Sequence, residues 1–128
     1  MKSLVLEIGA GELFDRLTIL EIKARHAKDT AQRQRVAREL RRTRELSERA
    51  QVPLGQVAPL VSELREVNER LWSIEDQLRL CEVNRDFGST FVELSRSVYK
   101  NNDLRAAIKR RIDERVSPHF LQDKIYAD

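Results

Sequence analysis

The sequence has few of the residues that end helices or build sheets. Its 128 positions include only three prolines, four glycines, one tryptophan, two tyrosines and four phenylalanines, against 35% charged residues. This composition excludes a disordered chain and favours an all-helical protein over a sheet protein. The length suits one domain with a single core, so we expect residues 1–128 to form one helical domain.

Cysteine and histidine are also scarce. Cys81 is the only cysteine, which excludes an intrachain disulfide, and its place on an apolar stripe predicts a small core residue. His26 and His119 stand alone in the sequence. Neither a zinc site nor a nucleophilic triad can be assembled from them, and we expect no metal and no cofactor.

Long hydrophobic runs are missing. The opening "MKSLVLEIGA" carries a short apolar run that soon meets Glu7, so it predicts neither a signal peptide nor an anchor. No other segment approaches the roughly 20 apolar residues that span a bilayer. We therefore expect no membrane span and a cytoplasmic location.

The positive charge is only slightly in excess. Eighteen arginines and six lysines oppose 21 acids, giving a net charge of +3. The stretch 29–44, "DTAQRQRVARELRRTR", is the most basic, but its arginines are spread around a helix and no aromatic residue lies among them to stack on a base. We interpret it as a solvated helix and do not expect a nucleic-acid partner.

The apolar periodicity predicts three helices after a short extended segment at 4–8. The first helix runs from residue 11 or 12 to about Ala50, with a possible kink where Asp29 could act as an N-cap for Gln32. The second covers about 58–84, and the third begins with Ser89 as its cap and ends near Val116.

The second helix has an unbroken four-three apolar seam: Leu60, Leu64, Val67, Leu71, Ile74, Leu78 and Cys81. The predicted fold is all-α and bundle-like, with a long N-terminal helix beside an antiparallel helical hairpin. The tail "HFLQDKIYAD" should dock in extended form.

The first helix is apolar over a wide arc, which predicts burial on two sides. At 1.5 Å per residue it would also overhang the shorter hairpin. Two solutions are open: the helix folds back at Asp29 as a fourth helix, or a second chain covers the overhang. We favour the second, a homodimer through the first helix.

The apolar stripe of the third helix is interrupted by Asn101 and Arg105. A hairpin turn centred near residue 86 places these two side chains level with residues 67–72. A buried arginine there needs a carboxylate, and the hairpin supplies Glu75, the predicted partner, with Asp103 nearby. One interpretation is an internal ion pair with an amide that fixes helix register. The other is a small pocket for an anion or a sugar hydroxyl. The candidate ligand-binding residues are Asn68, Trp72, Glu75, Tyr99, Asn101, Asn102 and Arg105.

Two further patterns are disfavoured. Gly9-Ala10-Gly11 has the first two glycines of a phosphate loop, but residue 14 is phenylalanine and Glu12 would repel phosphate. Acidic residues spaced along the helices suggest the Mg²⁺ carboxylates of all-α pyrophosphohydrolases, yet they do not fall on facing inward lines.

Four stretches resemble a small bacterial family of unknown function: "GELFDRLTILEIKAR" at 11–25, "LWSIEDQLR" at 71–79, "DFGSTFVELSRSVYKNNDLRAAIKRRI" at 86–112 and the closing "DKIY". The resemblance implies occurrence near, or fused to, glycosyltransferases and tetratricopeptide-repeat proteins, and it implies no catalytic residue. "LWSIED" and "KRRID" are also similar to a second uncharacterised helical family linked to cell-surface sugar genes.

These observations predict an uncharacterised helical accessory or binding module that serves a glycosyltransferase or a surface-polysaccharide pathway. The alternative is a small ligand-binding protein or enzyme that uses the polar site between the second and third helices. The sequence leaves open whether the protein is an enzyme.

Overall fold

The computed structural model describes residues 1–118 and contains four helices. They are α1 (Ala10–His26), α2 (Thr30–Arg49), α3 (Leu54–Val83) and α4 (Ser89–Val116). Residues 1–9 belong to no helix, and no strand occurs in the described part of the chain. The extended segment at 4–8 stays a prediction. The predicted all-α, bundle-like class is confirmed, while the predicted docking of the C-terminal tail lies outside the described residues.

The predicted long N-terminal helix is in fact two helices, α1 and α2. The chain therefore folds back near Asp29, and no second chain is needed to cover an overhang. α1 ends at His26, and Asp29 is the N-cap of α2, accepting a hydrogen bond from the Gln32 backbone N–H at 2.8 Å. The Gln32 side chain in turn accepts from the backbone N–H of Lys28 at 2.8 Å. These two hydrogen bonds cap the start of α2 and so stabilise the break between the helices. The three-residue connection 27–29 lets α2 fold back along α1.

α1 lies in the middle of the bundle. It contacts α2 on one side and both α3 and α4 on the other, whereas α2 contacts no helix except α1 among the described residues. The predicted burial of α1 on two sides is thus confirmed, and both covers come from the same chain. The homodimer through this helix stays a prediction, but an uncovered overhang no longer supports it.

The core lies where α1 crosses the α3–α4 hairpin. Phe14 of α1, Leu64 of α3 and Ile112 of α4 are at most 2% exposed. The predicted α3 seam is confirmed by its buried members, which are Leu60, Leu64, Val67, Leu71 and Cys81. Hydrogen bonding of Arg70 to Asn101 agrees with the predicted hairpin register.

Two helix starts differ from the predictions. α3 begins at Leu54, directly after Pro53, which is earlier than the seam alone indicated. The N-cap of α4 is Gly88, which has no side chain to cap with, and Ser89 is the first helical residue. None of the helices within residues 1–118 combines the length and apolar character needed to cross a bilayer.

Candidate functional site

A buried ion pair joins the first and last helices. Arg105 of α4 donates from Nε to Asp15 Oδ1 at 2.8 Å and from Nη2 to Asp15 Oδ2 at 2.5 Å. The Asp15 side chain is 3% exposed and that of Arg105 is 30% exposed. This two-pronged geometry is the strongest pairing that a guanidinium and a carboxylate can form. It fixes both the distance and the rotation of α1 against α4.

α3 contributes an amide to the same carboxylate. Asn68 donates from Nδ2 to Asp15 Oδ1 at 3.0 Å and to the Thr18 hydroxyl oxygen at 2.9 Å. The Thr18 hydroxyl donates onward to the backbone carbonyl of Asp15 at 3.0 Å. Thr18 is fully buried and Asn68 is 4% exposed. Three helices therefore meet at one carboxylate whose oxygens are occupied.

A second ion pair lies one turn away along α1. Lys109 of α4 contacts Glu12 at 2.6 Å and stands 3.8 Å from Asp15. The carboxylates raise the pKa of Arg105 above its ordinary value, mainly through the hydrogen bonds to Asp15, and burial opposes the rise. Arg105 consequently stays cationic and does not act as a proton carrier.

The N-terminus of α1 is capped by side chains of α4. The Gly11 backbone N–H donates to Asp113 Oδ1 at 2.8 Å, and the Ala10 N–H donates to the Ser117 hydroxyl at 3.1 Å. A Cβ on Gly11 would overlap the Lys109 carbonyl oxygen and lie 3.1 Å from Asp113 Oδ1. Glycine is needed here because the two backbones touch. Asp113 uses the amide that a phosphate would need, which agrees with setting the phosphate-loop interpretation aside.

The predicted partner of Arg105 was wrong. Glu75 stands 4.0 Å from Arg79 on the exposed side of α3 and only adds a distant attraction to Arg105. The hairpin register was right, but the carboxylate comes from α1, which the sequence did not place. We call this set of interacting polar side chains the polar seam; it consists of Asp15, Asn68, Thr18, Arg105, Lys109 and Glu12.

The other candidate residues do not converge on Arg105, except Asn102, whose Oδ1 accepts from Arg105 Nη1 at 3.4 Å. Asn101 accepts from Arg70 at 3.1 Å and donates to the Ser97 carbonyl at 2.9 Å. Tyr99 is 54% exposed. The seven candidates thus form no single pocket around Arg105.

Trp72 belongs to a different feature, a shallow groove between α1 and α3. Its ring stacks on His26, with centroids 4.9 Å apart and planes 25° apart. The groove has a volume of about 370 Å³, and its polar lining includes Arg25, Glu69 and Asp76. An aromatic ring beside charged side chains is a surface that a small polar ligand can use.

The buried atoms of the polar seam all have partners. Among residues 1–118, no buried side-chain nitrogen or oxygen is without a hydrogen-bond partner. No group of three histidine, cysteine, aspartate or glutamate residues is arranged to hold a metal ion in the same part of the chain. The seam is therefore a set of contacts between helices.

Sequence reasoning missed Asp15, Glu12, Lys109 and Asp113. A signal was present in α1, where Gly11, Asp15, Thr18 and Ile22 follow four-three-four spacing on one face. Asp15 also lies close to the start of a helix, where the helix dipole explains an acid equally well. Asp15 lies on the same helix face as the buried Ile22, which indicates an inward-facing acid rather than one placed only by the helix dipole.

Fold and seam together define a class: an all-helical bundle in which a central helix is fixed to a hairpin by internal ion pairs. Within that class, the chain belongs to DUF6165, a family of unknown function whose model matches residues 4–128. No curated protein and no solved structure matches the chain.

Proposed function

We propose that this protein is a helical accessory module that acts by binding another protein, and that the polar seam stabilises its fold. The observation that carries the proposal is the mutual satisfaction of Asp15, Arg105 and Asn68. A catalytic or ligand-binding centre keeps polar groups open toward a cavity. Here the predicted candidates at the centre are used in holding helices together.

The partner that we propose is a glycosyltransferase of a bacterial surface-polysaccharide pathway, met in the cytoplasm. Support comes from the resemblances of "GELFDRLTILEIKAR" and "LWSIED" to families associated with such genes. A homodimer through α1 remains part of the proposal. It would have to use the sides of α1 that α2, α3 and α4 leave open, around the exposed Arg16 and Lys23.

Reciprocal affinity purification from the source organism tests the partner. The full chain with a tag should bring down a glycosyltransferase in a fixed ratio, and the tagged glycosyltransferase should bring down this chain. A deletion strain should show altered surface polysaccharide. Recovery of the chain without such an enzyme, with normal polysaccharide in the deletion strain, would refute the proposed setting. Sedimentation of the purified chain tests the dimer separately.

A second candidate function is favoured by the groove at Trp72, which keeps the ligand-binding alternative open. Because Trp72 is the only tryptophan, its fluorescence reports on this groove alone. Titration with free hexoses and nucleotide sugars should change the emission if the groove binds them. Asp76→Asn should then abolish the change, while Glu93→Gln on α4, which does not line the groove, should not. No change with any of these compounds would dismiss this function.

A further inference from the structure

The positive charge of the molecule is concentrated on α2. This helix carries seven arginines against three glutamates, a net charge of +4 in 20 residues. The whole chain carries +3, so all the remaining residues together carry −1. The basic character of the protein is thus a property of one helix.

Four of the arginines of α2 form a straight line along one exposed flank of the helix. Leu40 and Ser47 are the buried residues of α2 and mark its contact with α1. Arg35, Arg38, Arg42 and Arg49 follow one another at three, four and seven residue steps along a flank of the helix, and all four are exposed. Arg42 also borders the groove between α1 and α2. Glu45 is the acid on that line. The line extends over 14 residues, about 21 Å of helix.

These arginines have no ionic partner among residues 1–118. Of the eleven arginines elsewhere in the described part, eight pair with carboxylates, namely arginines 16, 25, 65, 79, 96, 105, 110 and 111. Within residues 1–118 no ion pair includes an arginine of α2. Their charge is available to a partner outside the molecule.

A second exposed feature lies at the C-terminal end of α2. Leu4, Val5 and Leu6 are consecutive and 82–95% exposed. Leu6 shares a groove of about 600 Å³ with Leu46 and Ala50 of α2, which places the apolar segment next to the end of the arginine line. Three neighbouring hydrophobic side chains in water are costly, because they leave apolar surface unburied.

We propose that α2 and residues 4–6 together form a surface that binds an anionic lipid bilayer from outside. The arginines contact the lipid headgroups, and the leucines and valine enter the interface, which supplies the two signals that stable peripheral binding requires. Nucleic acid would use the arginines but not the aliphatic segment, and neither α2 nor residues 1–9 offer an aromatic ring for stacking. This inference does not rest on the proposed accessory function.

Co-sedimentation of the purified full chain with vesicles tests the surface. Vesicles of phosphatidylcholine with about one third phosphatidylglycerol should bind the chain, and pure phosphatidylcholine should not. Each arginine near an anionic surface strengthens binding by about fivefold, so replacement of Arg35, Arg38, Arg42 and Arg49 by glutamine should weaken it by about a hundredfold or more. Replacement of Leu4, Val5 and Leu6 by serine should weaken it by about tenfold or more.

The matched control removes the same charge elsewhere. Replacement of Arg79, Arg85, Arg96 and Arg111 by glutamine should change binding by less than about threefold, since these residues lie on the hairpin. All these positions are exposed, so circular dichroism should show folded variants. Equal loss in the control, binding to neutral vesicles, or no vesicle binding at low salt would overturn the proposal. Binding of single-stranded DNA through the same arginines without vesicle binding would also overturn it.

Discussion

The two sides of α1 are built on different principles. Toward α4, backbone and side chains are joined by Asp15–Arg105, Glu12–Lys109 and the caps from Asp113 and Ser117. Toward α2, the described residues supply no hydrogen bond or ion pair between the helices, and the contact is made by apolar side chains such as Leu13, Leu20 and Leu40. The polar contact fixes one orientation, whereas the apolar contact only requires matching volume.

The difference predicts unequal stability. α3 and α4 both pack against α1 in the core, but α2 contacts α1 alone within residues 1–118. Leu40 and Ser47 are the only buried residues of α2. Helices with few buried contacts open at lower free energy than the core. The side that is fixed by charge should therefore be sensitive to single polar changes, and the apolar side should respond locally.

The largest effect should come from Arg105→Met. The change leaves the Asp15 carboxylate 3% exposed without its main partner, which costs about 3–4 kcal/mol of unfolding free energy. Lys109, 3.8 Å away, and Asn68 keep the loss from being larger. Urea unfolding followed by circular dichroism measures it. Arg79→Met is the matched control, because Arg79 pairs on the surface and should cost less than about 1 kcal/mol. Equal losses would show that the seam contributes no more than a surface pair.

Leu40→Ala tests the apolar side and should cost about 2–3 kcal/mol for the opening of α2. Hydrogen exchange should speed up in α2 by about thirtyfold or more while protection in α3 and α4 changes little. Leu104→Ala, at a half-exposed position on α4, is the control and should have little effect. Uniform loss of protection in all four helices would mean that α2 unfolds only with the whole bundle.

Gly11→Ala should destabilise the fold by about 1–2 kcal/mol. The methyl group overlaps the Lys109 carbonyl oxygen, so α1 must move away from α4, and the better helix propensity of alanine offsets only part of that cost. Gly55→Ala is the matched change on α3, where no atom lies within 4 Å of the new methyl group, and it should be neutral or stabilising. Thermal unfolding of the two variants makes the comparison. Destabilisation by both would point to a general helix effect rather than to close packing.

The sequence predicted the α3–α4 hairpin well and the position of α1 against it poorly. The α3–α4 hairpin was predictable because its apolar residues repeat without interruption and a short turn fixes the register, as the contact of Arg70 with Asn101 shows. The break at Asp29 was visible as a cap, but a cap contributes only about 1 kcal/mol and does not decide between a kink and a fold-back. The partner of Arg105 was out of reach, because Asp15 is 90 residues away in the chain and on a helix whose docking the pattern did not define.

The smallest effect on stability should come from replacing the whole pair with Asp15→Leu and Arg105→Leu. Apolar side chains of similar volume often equal or exceed a buried ion pair, so the double variant should lie within about 1 kcal/mol of the unchanged protein although each single change is costly. Asn68 keeps its bond to Thr18, and Lys109 keeps Glu12, so no new buried group loses its only partner. Arg105→Leu with Glu75→Leu is the mismatched control, and it should be as unstable as Arg105→Leu alone because Glu75 is not the partner. A stable double variant that restores the surface polysaccharide of a deletion strain would support a purely structural seam. A stable double variant that fails to restore it would assign the seam a role in function, since the fold would then survive without the charges and the activity would not.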